Sequence, residues 1–125
     1  MSMIHVLLVE DDDHFASMIQ RALATFGYTV VRARNGREAL DIYDPRIVNL
    51  VLTDVLMPSM EGIELIMALR KINPKVKIIA MSGGGRNRPE AYLAITERMG
   101  VVKTLAKPFP LDELQRAVQE CIGNP

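Results

Sequence analysis

Five short apolar runs, each followed closely by a stretch of helical periodicity or a turn leading into one, are the strongest constraint on how this chain can fold. Residues 4–9 (IHVLLV), 28–31 (YTVV), 48–53 (VNLVLT) and 76–81 (VKIIAM) are too short for helices. They are rich in β-branched residues and Leu, as strands buried on both faces are. Residues 101–106 (VVKTLA) form a weaker fifth run, less apolar because of Lys103 and Thr104. Between the runs, apolar residues recur at helical spacing: Phe15, Met18, Ile19, Ala22, Leu23 and Phe26, then Ala39, Leu40 and Tyr43, then residues 63–72. The pattern returns at Tyr92, Ile95 and Met99, and last at Leu111, Leu114, Val118 and Ile122. Helix boundaries are marked too. Gly27 is placed for a left-handed cap, Asn35 with Glu38 resembles a capping box, and Pro89 suits a first helical turn that Gly100 ends. Strands separated by helices must run parallel, because only a crossover returns the chain in the same direction. The expected fold is α/β: a doubly wound parallel sheet with helices on both faces, forming one domain over residues 1–125.

Composition removes several function classes. With 15 Lys plus Arg against 15 Asp plus Glu and pI near 6.7, the chain lacks the basic excess expected for direct nucleic-acid or anionic-membrane binding. The single Cys121 excludes an intramolecular disulfide framework and a Cys-based zinc site, and its place on the apolar stripe of the last helix reads as core. No apolar run approaches the roughly 18 residues of a membrane span, and no signal-like segment opens the chain, so a cytoplasmic protein is expected.

Ligands of open parallel sheets bind outside the carboxyl ends of the strands. Here the first run ends in Glu10-Asp11, the third in Asp54, the fourth in Ser82 and the fifth in Lys107. Each has a plainer reading alone: an acidic helix start, a turn acid, a loop serine, a surface lysine. Their conjunction on one edge is the stronger signal, since carboxylates gathered there repel unless a cation or protons intervene. Hard oxygen donors with no Cys and no obvious His select a Mg²⁺-type ion, which typically joins carboxylates to a phosphate. A carboxylate can then act as nucleophile toward a phosphoryl group, giving an aspartyl phosphate, and Asp54 suits that role because it stands alone between the acidic pair and Lys107.

At LLVED (7–11), LTDVLMPSMEGIEL (52–65), IIAMSGG (78–84) and LAKPF (105–109) the chain resembles the receiver domains of two-component response regulators, of the stand-alone single-domain type. The resemblance covers essentially the whole chain and implies a flavodoxin-like strand order 2-1-3-4-5. It implies that Asp54 is the phosphoacceptor, that Asp11 and Asp54 ligate Mg²⁺ through carboxylates, Glu10 through a water and Leu56 through its backbone carbonyl. Ser82 would hydrogen-bond a phosphoryl oxygen and Lys107 would pair with the phosphate. Asp12 is left as a helix-start acid.

The implied function is a phosphorylation-dependent switch in a two-component phosphorelay. A histidine kinase or histidine phosphotransfer protein donates the phosphoryl group, and a downstream protein reads the face made by the fourth helix (89–99), the fifth strand and the fifth helix. Such a protein is not an enzyme on a free substrate, though it catalyses its own phosphorylation and slow dephosphorylation. Two departures stand out: Thr104 occupies the place where the family often carries an aromatic residue coupling site to surface, and Gly83-Gly84-Gly85 make the loop after Ser82 unusually permissive. Three rival readings fit the sequence less well. An aspartate-nucleophile phosphatase would show a second Asp where Leu56 stands, a flavin carrier would need a phosphate loop where Glu10 to Asp13 stand, and a pseudo-receiver would lack part of the acceptor set.

Overall fold

The computed structural model describes residues 3–55, 61–82, 94 and 97–123. They form five strands, β1 (His5–Val9), β2 (Thr29–Ala33), β3 (Leu50–Asp54), β4 (Ile78–Ser82) and β5 (Lys103–Ala106). Four helices are delimited, α1 (Asp13–Thr25), α2 (Gly36–Ile42), α3 (Glu61–Ile72) and α4 (Leu111–Ile122). All pairings are parallel and the strand order is β2-β1-β3-β4-β5, the flavodoxin-like order. The helix expected over 89–99 lies largely outside the described residues, although Ala94, Glu97 and Arg98 are helical.

The uninterrupted apolar character of β1 and β3 follows from alternation within a sheet covered on both sides. Val6, Leu8, Leu50, Leu52, Ile79 and Met81 face α1 and α4, packing with Ile19, Leu23, Leu114 and Val118. Their neighbours Leu7, Val9, Val51, Ile78 and Ala80 face the other way, against Leu65, Ile66 and Leu69 of α3 and Ala39 of α2. The edge strands β2 and β5 are only partly buried.

Local chemistry fixes the helix ends. Asp12 caps α1, its carboxylate accepting from Phe15 N at 3.0 Å, and Asn35 caps α2 by accepting from Glu38 N at 2.8 Å. Gly27 follows α1 at φ 100°, a left-handed conformation that costs a residue without Cβ nothing. β3, β4 and β5 begin two residues later than the apolar runs suggest. Val48, Val76 and Val101 pack on the α2–α3 side of the core before their strands join the ladder.

Candidate functional site

The fold delivers the expected residues to one edge. Glu10 follows β1, Asp54 and Ser82 end β3 and β4, and Lys107 follows β5. Carboxylate oxygens of Glu10, Asp11 and Asp54 lie within 4.8 Å of one another. Glu10 and Asp54 are buried, 1% and 5% exposed, whereas Asp11 is exposed. The Lys107 ammonium enters this acidic cluster, donating to Glu10 Oε1 at 2.7 Å and to Asp54 Oδ2 at 3.1 Å. It also sits 4.0 Å from the centroid of the Phe15 ring, which meets Phe109 edge to face with centroids 5.9 Å apart.

The backbone around the carboxylates is held from several sides. Arg32, on edge strand β2, donates from Nε at 3.1 Å and Nη2 at 2.8 Å to the Glu10 carbonyl, and from Nη1 at 2.8 Å to Asp13. Glu10 Oε2 accepts from Asp12 N at 3.2 Å. Beside it, the buried Thr53 hydroxyl donates to the Asp54 carbonyl at 3.0 Å, and Lys107 N donates to the Ser82 carbonyl at 2.8 Å. Gly62, in the first turn of α3, approaches β3 so closely that a Cβ there would lie 2.5 Å from Val55 Cα and 2.7 Å from the Asp54 carbonyl oxygen.

Burial sets the charge states. Desolvation pushes the Glu10 carboxyl up to about 7 and the nearby Asp54 charge adds to the rise, against the lowering effect of its hydrogen bond from Lys107. For Lys107, burial alone would lower the ammonium, but the Glu10 hydrogen bond and the charges of Asp54 and Glu10 prevail and raise it. Lys107 is therefore the fixed charge of the pair. One ammonium faces three carboxyl groups, and the imbalance favours a further cation.

The donor set suits Mg²⁺. All three groups offer hard oxygens, and oxygens bound to one Mg²⁺ at about 2.1 Å stand about 3 Å apart when adjacent and about 4.2 Å when opposite. The spacing within 4.8 Å needs little adjustment to reach that. Ser82 supplies an independent sign of a ligand site: its hydroxyl is wholly buried and, among the described residues, has no hydrogen-bond partner. A buried polar group left unpaired is costly, and a ligand with acceptor oxygens would satisfy it.

Leu56, expected to offer its carbonyl to the metal, lies outside the described residues, as do Gly83, Gly84 and Gly85. Thr104 donates to Glu97 Oε1 at 3.4 Å, linking β5 to the helical residues before it. Cys121 is buried in the core, where desolvation pushes its thiol up. Arg32, Phe15, Thr53 and Gly62 were not singled out from the sequence. Only Gly62 carried a local signal, as a glycine placed where a helix resumes after Asp54.

The family described as the response regulator receiver domain matches residues 6–119. The sensor kinase CckA of Brucella abortus is 40% identical over 119 residues, which are 94% of this chain but 12% of that protein. Sporulation initiation phosphotransferase F of Bacillus subtilis is 30% identical over 115 residues, covering 92% of this chain and 90% of that one. The chain spans only 26% of the length of the Escherichia coli regulator GlrR, which it also matches. Among solved structures, the CheY-like receiver domain of Methanospirillum hungatei superposes with a TM-score of 0.81 at 27% identity, covering 95% of this chain and 93% of that one. With its strand order, its acidic pocket and a family match over nearly its full length, the chain belongs to the response regulator receiver domains.

Proposed function

We propose that residues 1–125 act as one phosphoacceptor switch, in which Asp54 receives a phosphoryl group from a histidine kinase or histidine phosphotransfer protein. The observation that carries this reading is the placement of the buried Asp54 carboxylate within an acidic cluster and in hydrogen-bond contact with the Lys107 ammonium. An Asp54 oxygen attacks phosphorus as the P–N bond of a phosphohistidine breaks, and the leaving imidazole takes a proton from solvent. Lys107 shifts from its carboxylate partners to the phosphoryl oxygens, and Ser82 donates its hydroxyl hydrogen to another. Glu10, Asp11, Asp54 and the Leu56 carbonyl would hold Mg²⁺, which when bound neutralises charge building on the phosphoryl oxygens. The kinship with a sensor kinase and a sporulation phosphotransferase supports a phosphohistidine donor. A groove of about 710 Å³ between α1 and α4, lined by His14, Met18, Phe26 and Leu111, lies apart from the acidic pocket and is the surface on which we expect such a donor to dock.

Intact-mass measurement after incubation with acetyl phosphate and Mg²⁺ tests the reading. One phosphoryl mass is expected, absent in Asp54→Asn and in EDTA. Equal labelling of the Asn variant would remove Asp54 from the role.

A further inference from the structure

The Lys107 ammonium has three hydrogens and, among the described residues, two hydrogen-bond acceptors, Glu10 Oε1 and Asp54 Oδ2. The third side is covered by an aromatic ring: Nζ lies 4.0 Å from the Phe15 centroid. That ring is itself fixed, because Phe109 meets it at 86° with centroids 5.9 Å apart, and both rings are partly buried against the α1–α4 side of the core. We propose that Phe15 is a positioning residue for Lys107, holding the ammonium at the mouth of the acidic pocket through the face of its ring. This rests on the phosphoacceptor reading only for its consequence, since the contact itself is present without phosphate.

The chemistry of the third partner matters. A carboxylate there would add negative charge beside an incoming phosphoryl group and hold the lysine more tightly in place. Water there would let the ammonium drift outward, since Lys107 is already 16% exposed. A ring face attracts the cation without carrying net charge and without accepting a conventional hydrogen bond, so it confines Lys107 while leaving it able to turn toward phosphate. Phe15 also stands three residues after Asp12, whose carboxylate receives the Phe15 N–H. The cap of α1 thus sets the height at which the ring meets the ammonium.

Two measurements test this. In the wild-type protein, NMR should show the Lys107 side-chain protons shifted upfield by the ring and close to Phe15 ring protons; ordinary lysine shifts would overturn the proposal, whatever any variant does. In Phe15→Leu the upfield shift should vanish and the rate of labelling by acetyl phosphate at saturating Mg²⁺ should fall about fivefold, while Phe15→Trp, which keeps a ring face, restores both. Unchanged labelling in the folded Leu variant, or loss in Leu that Trp does not restore, would overturn it. If wild type takes no phosphoryl group at all while its Lys107 shift depends on the ring, the phosphoacceptor reading fails and the positioning role stands.

Discussion

Alanine in place of a helical glycine ordinarily stabilises a protein by about 1 kcal/mol, and Gly62 should reverse that sign. Its Cβ would lie 2.5 Å from Val55 Cα and 2.7 Å from the Asp54 carbonyl oxygen, both backbone atoms that cannot turn aside. Gly62→Ala is therefore expected to cost about 1–3 kcal/mol in urea unfolding and to slow Asp54 labelling, because α3 must move away from the strand that ends at Asp54. A stability equal to or above wild type would show that α3 is free to retreat. A second residue-scale prediction concerns the lifetime of the phosphorylated state. Leu56 and Gly84, two positions beyond Asp54 and Ser82, bring no polar group to orient an attacking water. Phospho-Asp54 should decay slowly in wild type and about tenfold faster in Leu56→Asn or Gly84→Glu; equal decay rates would exclude water orientation as the control. Glu10, Asp11, Asp54, Ser82 and Lys107 were visible in the sequence because each stands where a strand ends, a place that topology makes special. Arg32 and Phe15 were not, since a mid-strand arginine reaching a carbonyl and a helix phenylalanine under a lysine depend on side-chain direction that spacing does not encode.

Elements were legible wherever hydrophobicity and hydrogen bonding coincide. They do so along β1, along α1 with its Asp12 cap, and along α4. They part at the starts of β3, β4 and β5, where Val48, Val76 and Val101 help fill the core ahead of the strands proper. Apolar character reports burial, and a residue can be buried without lying in a ladder. The same region carries the element-scale prediction. Thr104 meets Glu97 through a single 3.4 Å hydrogen bond. A threonine has no ring to bury or release, so a phosphoryl group on Asp54 should act on this region through Ser82 and β5. Hydrogen exchange with and without beryllium fluoride, a phosphoryl mimic, should change at residues 97–106 and leave α2 unaltered. Changes confined to α1 would contradict this route.

At the level of the whole molecule, the end of α4 is held by Tyr28, whose hydroxyl donates to the Gly123 carbonyl at 3.1 Å, and by Lys77, whose ammonium donates to the Cys121 carbonyl at 2.8 Å. Burial raises the Tyr28 phenol above its ordinary value. Because the folded state holds that proton more tightly than the unfolded chain, Tyr28 contributes its full stability below a pH of about 10 and loses it as pH climbs through the folded value. Alkaline unfolding followed by circular dichroism should begin above about pH 10, and Tyr28→Phe should cost about 1 kcal/mol at neutral pH while flattening the alkaline fall. An unchanged alkaline profile in the Phe variant would assign the loss to another group, of which the buried Cys121 thiol is the first to examine.

Glu10 is gripped from opposite margins of the sheet, its carbonyl by Arg32 of β2 and its carboxylate by Lys107 beyond β5. These margins are also made at different times. A ribosome working from the amino end finishes β1, β2 and β3 with Asp54 in place, yet Lys107 lies 53 residues further on. Until that lysine emerges and docks, the acidic cluster has no ammonium of its own. A half-made chain can therefore carry Asp54 without the ammonium that the folded site sets against it.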